Sequence, residues 1–204
     1  CPKNNENEIF SLKELEKAFS IDGISKSPAT FDYDKLEWFN GEYIRDMDQD
    51  TFLSYARPYF DQMKLENTSK DLLTDILQPR LNYFHQIPDK IAYVQALPHY
   101  DITFFEHKKS KSSTESASIM LKHAQDALST LSNWTKDSIY DCLVTIAKDN
   151  EVKNAKVMWP VRIAITGTLV TPGGAIEALL LLGKTESLKR ISIAREKLNN
   201  NIEV

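Results

Sequence analysis

The sequence predicts an all-α protein, a multi-helix bundle or cage in two or three successive helical subdomains with no Rossmann core. Three observations predict it. Apolar residues recur at helical spacing along almost the whole chain. Ser, Thr and Asp stand at cap positions in front of several of those runs. Nowhere do strand-like and helix-like segments alternate, as a doubly wound sheet requires.

Taken in order, Ser11-Leu-Lys-Glu14 is a capping box, with Phe10 and Leu15 placed to staple it, and Leu12, Leu15 and Phe19 fall on one face. A turn is expected through Asp22-Gly23 and Ser27-Pro28. Asp34 to Arg45 carries Leu36, Trp38, Phe39 and Tyr43 on an aromatic face. Asp48 caps a helix bearing Phe52, Leu53, Tyr55 and Ala56, which Pro58 is expected to end or kink. Thr68 or Ser69 caps the next, where Leu72, Leu73, Ile76 and Leu77 repeat at helical period. Pro79 interrupts it, as a kink or as the start of a helix through Leu81 and Phe84. Pro88 reads as the first residue of a short helix with Ile91, Ala92 and Val94.

Residues 98–115 have the weakest apolar period and read as a loop or subdomain crossing. Beyond them Ile119, Met120, His123, Ala124, Ala127, Leu128 and Leu131 form an amphipathic helix, and Thr135 caps another holding Ile139, Cys142, Leu143 and Ile146. Val157 to Ile165 is apolar and β-branched enough for a strand, but Pro160 argues against a central one. Thr171-Pro172-Gly173-Gly174 is a turn opening Ala175 to Leu182; Gly183 is a natural stop, and Thr185 starts a last helix through Leu188, Ile191 and Leu198. The expected subdomains are 1–46, 47–97 and 98–204.

Composition bounds the function. The 204 residues are 42% apolar and 26% charged, with a mean hydropathy of -0.39, which excludes disordered and collagen-like chains. No apolar run approaches the about eighteen residues of a membrane span, so no membrane partner is expected. The first residues, Cys1-Pro-Lys-Asn-Asn-Glu-Asn-Glu8, show no signal peptide, and the absence of a starting Met suggests a piece of a longer protein. Cys1 and Cys142 form no metal or disulfide pattern, so a reducing cytoplasm is the expected compartment and Cys142 a core residue. The net charge is -4. Residues 151–204 hold 8 Lys and Arg against 5 Asp and Glu, a net +3, which leaves -7 for residues 1–150. A sequence-independent nucleic-acid binder would carry a marked basic excess. Any nucleic-acid contact here must rest on a few placed side chains.

No catalytic constellation is present: no HExxH, GxGxxG or Walker A motif, and no nucleophile with a base and an orienting group. His85, His99, His107 and His123 show no metal-ligand spacing and read as surface or core-edge residues. Asp46-Met-Asp48-Gln-Asp50 starts like a calcium loop, but it lacks the sixth-position Gly and twelfth-position Glu, so helix capping explains it. Lys108, Lys109 and Lys111 make a basic loop, either simply solvated or an RNA-backbone contact. Two arginines lie inside apolar runs: Arg80 between Leu77 and Leu81, and Arg162 in Trp159-Pro-Val-Arg-Ile-Ala. Each is either a snorkelling or ion-paired core-edge residue, or a rigidly held planar fork for reading unstacked bases. The Thr171-Pro172-Gly173 turn adds backbone N–H groups at a helix start, which suit a phosphate or a base edge.

The order of motifs carries a resemblance. Residues 24–45, with Ser-Pro-Ala-Thr-Phe-Asp and Lys-Leu-Glu-Trp-Phe-Asn-Gly-Glu-Tyr-Ile-Arg, resemble the bacterial glutamyl-tRNA synthetase segment beyond its catalytic domain. Residues 157–184, with Pro-Val-Arg-Ile-Ala-Ile-Thr-Gly, Thr-Pro-Gly and Leu-Leu-Gly-Lys, are similar to that family's anticodon-binding region, as is the stretch from Trp134-Thr135. The likeness runs in family order over nearly the whole chain and is poorest at 98–125. Ile24-Ser25-Lys26-Ser27 looks like the tail of the class I Lys-Met-Ser-Lys-Ser loop, but the resemblance places it just downstream of that loop.

The resemblance implies the stem-contact and anticodon-binding parts of a class I aminoacyl-tRNA synthetase that ligates glutamate to tRNA with ATP. The adenylation site would lie outside this chain, so the chain itself is expected to bind without catalysing and to hold no cofactor or metal. Arg80 matches the arginine that reads the third anticodon base, C against G, and Arg162 the one that contacts the first. Thr171, Pro172 and Gly173 match the turn near the first two bases, and Lys35 a stem-contact position. Gly174-Ala175 adds a residue relative to some relatives. The implied partner is tRNA(Glu), with tRNA(Gln) also in view because some members charge both; DNA is not expected, and the chain is expected to be a monomer. The alternative is a free-standing helical adaptor that binds protein partners through its aromatic and leucine faces.

Overall fold

In a computed structural model, which describes residues 8–21, 30–63, 65 and 68–202, the chain is helical throughout. Among the described residues there is no strand, only an isolated antiparallel bridge between His107 and Ser112. The Asp22–Pro28 turn, the Ser25-Lys26-Ser27 motif and Cys1 lie outside the described residues.

The first helix, α1 (Leu12–Ala18), has the expected capping box: the Glu14 N–H donates to Ser11 Oγ and the Ser11 N–H to Glu14 Oε2. It buries nothing, and Leu12, Leu15 and Phe19 are exposed. Its start is tied to α2 (Tyr33–Arg45) by Tyr43 Oη donating to the Phe10 carbonyl at 2.8 Å. Asp48 caps α3 (Gln49–Gln62) through the Thr51 N–H at 2.9 Å, so the acidic stretch works as a cap. Pro58 neither ends nor divides α3. It deprives the Ser54 carbonyl of a donor, but both residues face solvent, where water replaces it.

Ser69 caps α4 (Lys70–Leu77), whose Leu73, Ile76 and Leu77 are buried. Pro79 then produces a 3-10 turn, Gln78–Arg80, rather than a new helix. Pro88 sits in the first turn of a single-turn helix, α5 (Ile87–Lys90), and Ala92–Val94 is a separate 3-10 turn. Residues 98–113 are a structured crossing that includes the 3-10 turn Ile102–Phe105 and the bridged loop.

Four longer helices follow: α6 (Thr114–Thr130), α7 (Lys136–Asp149), α8 (Asn154–Thr166) and α9 (Ala175–Ile202). The α6 and α8 helices both pack on α9 and on each other, and α7 packs against α8. The α6 interior is Ala117, Met120, Leu121, Ala124 and Leu128; Ile119, assigned to that face from sequence, is 53% exposed. Cys142 is only half-buried, and that burial raises its thiol pKa. The β-branched run 157–165 is helical, with Pro160 buried inside it. A Pro in a helix removes one hydrogen bond, and α8 bears that loss with Pro160 packed in the core. At Gly183 (φ 72°) α9 breaks as expected. One continuous buried cluster runs from Ile44 to Leu198.

Candidate nucleic-acid interface

Arg80 ends the 3-10 turn that Pro79 imposes after α4. The turn is fixed to the C-terminal half of α2. Gln78 Nε2 donates to the carbonyls of Ile44 (2.9 Å) and Met47 (2.7 Å), and Asn40 Nδ2 donates to the Asn82 carbonyl. Arg80 itself is exposed, and Nη1 donates to the Ile76 carbonyl at 3.0 Å. The guanidinium is thereby aimed while most of its donors stay open to solvent.

Arg162 lies one turn after Trp159 on α8, so the two share a face. The guanidinium carbon sits 4.6 Å from the Trp159 ring centroid, a cation–π distance. Nη1 donates to Thr171 Oγ1 at 3.1 Å and Nη2 to the Leu169 carbonyl at 3.0 Å. Among the described residues no carboxylate pairs with it. Burial pushes its pKa down from the ordinary arginine value, yet an arginine remains charged at neutral pH. A desolvated cation without a counter-charge is a ready partner for base acceptors or phosphate.

The segment linking α8 to α9 is set by Gly167, in the left-handed region at φ 64°, whose N–H closes α8 on the Ile163 carbonyl at 2.8 Å. A Cβ there would come 2.9 Å from both Pro98 and Tyr100. The chain then reaches the expected turn. Thr171 Oγ1 donates to the Gly173 carbonyl, and the Gly174 N–H donates to Glu177 Oε2 at 2.8 Å. The Glu177 carboxylate therefore occupies the start of α9. One of the backbone donors that the sequence suggests for a phosphate or a base edge is thus already taken, and the Glu177 charge stands against a second anion there.

The turn also meets the Arg80 side. A Cβ on Gly173 would lie 2.7 Å from Glu177 Cβ and 3.4 Å from Ile76 Cγ2, and Ile76 is the residue whose carbonyl holds Arg80. Arg162 thus bonds the turn directly, while Arg80 is linked to it through Ile76. Behind it a concavity of about 250 Å³ is lined by Lys90, Tyr93, Val170, Thr171 and Pro172, among others. The Tyr93 hydroxyl is buried with no partner among the described residues, and burial and the Glu177 charge both raise its pKa.

Lys35 is not part of this arrangement. It stands at the N-terminal end of α2, its Nζ 2.6 Å from Glu8 Oε1 and over the Phe39 ring.

Sequence reasoning missed three residues here. Trp159 carries Arg162, and its i,i+3 spacing on a helix was a usable signal. His107 stacks on the same indole, with centroids 3.7 Å apart and planes 8° apart, and no sequence signal links positions so far apart. Arg190 on α9 is 2% exposed; it donates to the carbonyls of Tyr93 (2.7 Å) and Ile165 (2.8 Å) and pairs with Glu186 at 2.7 Å. It braces α8 immediately before Gly167.

The chain is similar to known proteins in sequence and in fold. A family model described as an anticodon binding domain matches residues 51–195. The chain is 42% identical over 199 residues to a glutamate–tRNA ligase of Clostridium novyi (strain NT), covering 96% of this chain and 41% of that protein. It is 38% identical over 195 residues to the glutamate–tRNA ligase of Clostridium tetani, covering 96% and 40%. The chain therefore spans about 40% of the length of the curated relatives it matches. A crystal structure of a glutamate tRNA ligase from Elizabethkingia meningosepticum, in complex with its amino acid, aligns over 97% of this chain and 38% of its own, with a TM-score of 0.80 at 23% identity. At that identity the likeness is one of fold.

Proposed function

This chain belongs to the anticodon-binding domain family, and we propose that it reads the anticodon of a glutamate tRNA for a longer protein that ligates glutamate to that tRNA using ATP. The observation that carries the reading is Arg162: a half-buried guanidinium with no carboxylate partner among the described residues, laid on Trp159 and aimed by the Thr171 turn. Anticodon bases are unstacked in their loop, so side chains reach base edges that a duplex would hide in RNA.

Arg162 takes the first anticodon base and Arg80 the third, while Thr171, Pro172 and Gly173 shape the space for the first two. Lys35, separate from the site and paired with Glu8, is a stem contact. Residues 1–46 form the stem-contact part, and 47–97 and 98–204 the two anticodon-binding parts. The chain binds rather than catalyses, and ATP belongs to a site outside it. It works as a monomer in the cytoplasm. No helix among the described residues is long and apolar enough to cross a membrane. Arg80 makes the chain selective for C over G at the third base, and so for tRNA(Glu) over tRNA(Gln).

The test is binding of the chain to a glutamate tRNA transcript and to one with a replaced anticodon, across a salt series. Anticodon-dependent affinity is expected. Equal affinity for both transcripts at every salt concentration overturns the reading. It would favour a protein-binding adaptor acting through the exposed Leu12 of α1, the Phe19 that follows it, and Leu36 and Trp38 of α2.

A further inference from the structure

We propose that the Lys108–Lys111 turn is a second RNA contact, a clamp for phosphodiester backbone built onto the same indole that carries Arg162. The proposal rests on the tRNA reading above for its partner, but its own support is separate.

The turn is rigid. His107 and Ser112 exchange backbone hydrogen bonds of 2.9 and 3.1 Å, and the Lys111 N–H donates to the Lys108 carbonyl at 3.2 Å. His107 Nδ1 accepts from the Ser110 N–H and bonds Ser110 Oγ at 2.8 Å. Ser110 and Ser112 are buried anchors, whereas Lys108, Lys109 and Lys111 all point outward. Lys111 adopts φ 53°, a left-handed conformation that few non-glycine residues take.

The segment leading into the turn is pinned to α8 at one residue, and the His107–Ser112 bridge ties the outgoing side to it. Trp159 Nε1 donates to the Phe104 carbonyl at 3.0 Å, and His107 stacks on the indole face-on. Arg162 lies over that indole as well. The backbone that carries the three lysines and the Arg162 guanidinium are therefore both held to a single side chain.

The lysines are unspent. None forms a salt bridge among the described residues, although Lys35, Arg45, Lys189 and Arg190 all do. Glu106 and Glu115 flank the loop without capturing them. In a chain of net charge -4, a free triplet of this kind beside the other open cation suits a polyanion. The division of labour is also chemical: a planar fork reads base edges, while lysines act as point charges on phosphates, which fix register and carry no sequence information.

The experiment compares the chain with K108A/K109A/K111N, where Asn tolerates the left-handed position, and with the triple Lys→Arg variant. Anisotropy with labelled glutamate tRNA transcript is followed from about 50 to about 200 mM salt. Removing the lysines should lower the slope of log K against log salt by about 2, so that the same salt rise costs on the order of tenfold less affinity. The ratio of cognate to anticodon-replaced binding should stay unchanged, and the arginine variant should restore the slope. An unchanged slope in a variant that melts like the parent overturns the proposal and leaves the turn to solvent or an acidic protein. If the parent shows salt-dependent binding but no anticodon preference, the anticodon reading fails alone, and a slope lowered by the substitutions still supports the clamp. No RNA binding at low salt overturns both.

Discussion

Two arginines on neighbouring helices hold backbone carbonyls in much the same way and end up with opposite fates. Arg190 is 2% exposed, donates to two carbonyls and faces Glu186, so its charge is neutralised inside the fold. Arg162 donates to one carbonyl and one hydroxyl, lies on an indole, and has no acid opposite it among the described residues. The geometry of the donors is similar; the counter-charge and the remaining exposure differ. A guanidinium is committed to structure when burial and a carboxylate come together, and available to a ligand when either is withheld. Arg80, with a single bond to the Ile76 carbonyl and an exposed head, lies further along the same line.

The largest expected effect breaks the buried side. Arg190→Met removes the donor of the Tyr93 and Ile165 carbonyls and leaves Glu186 only its longer pairing with Lys189 at 3.8 Å, costing about 3 kcal/mol. Thermal melting should shift down by roughly 10 °C, while the folded fraction keeps its anticodon preference. A shift no larger than that of an ordinary surface substitution would place Arg190 in the wrong class.

Arg162→Ala should do the reverse. It is expected to weaken cognate tRNA binding by about 1–3 kcal/mol, on the scale of a bidentate base contact, with melting altered by less than about 1 kcal/mol. Arg162→Lys should not rescue it, because a point charge cannot reproduce the stacked fork. Arg80→Ala sharpens the comparison further. Preference for C over G at the third base should fall by about 1–3 kcal/mol, with stability unchanged within about 0.5 kcal/mol. An undiminished preference removes Arg80 from the site.

Gly173→Ala tests the turn that joins the two sides. Its Cβ would meet Glu177 Cβ at 2.7 Å, so the backbone must shift, at about 1 kcal/mol or somewhat more. Melting and cognate affinity should both fall, where the two arginines separate them.

The smallest effect is a control on acid stability. The Thr51 hydroxyl and N–H hold the Asp48 carboxyl below its usual value. The folded pKa is therefore lower than the unfolded one, so this cap's contribution is present above the ordinary Asp range and is lost as pH falls through the folded pKa. Asp48→Asn, an equally good cap, should leave melting near neutral pH unchanged and flatten its decline in acid. An identical acid decline in both proteins would show that other carboxylates, such as the Asp101 cap, dominate.

Local signals proved the most legible. The capping residues Ser11, Asp48, Ser69 and Thr135 all cap where their spacing predicts, because an N-cap is a contact between residues two or three apart. The prolines were less so. Pro58 rides inside α3 and Pro160 inside α8, since burial or hydration of one lost hydrogen bond is decided by packing that no window of sequence contains. Periodicity also placed Ile119 in the core, where the α6 face actually turned inward is set by α8 and α9.

By itself, the sequence determined that the chain is all-helical, where most helices begin, that Gly183 divides the last one, and which two arginines stand oddly in apolar runs. The tertiary structure alone decided that Arg162 lies on Trp159 and bonds Thr171, and that Ile76, whose carbonyl holds Arg80, lies beside Gly173 of the same turn. It also decided that His107, some fifty residues before Trp159, stacks on that indole, and that the third arginine, Arg190, is sealed inside. Helix starts and stops depend on bonds across a single turn, which neighbouring residues fix. The state of a charge depends on burial and on the counter-charge brought to it, and both come from helices remote in sequence.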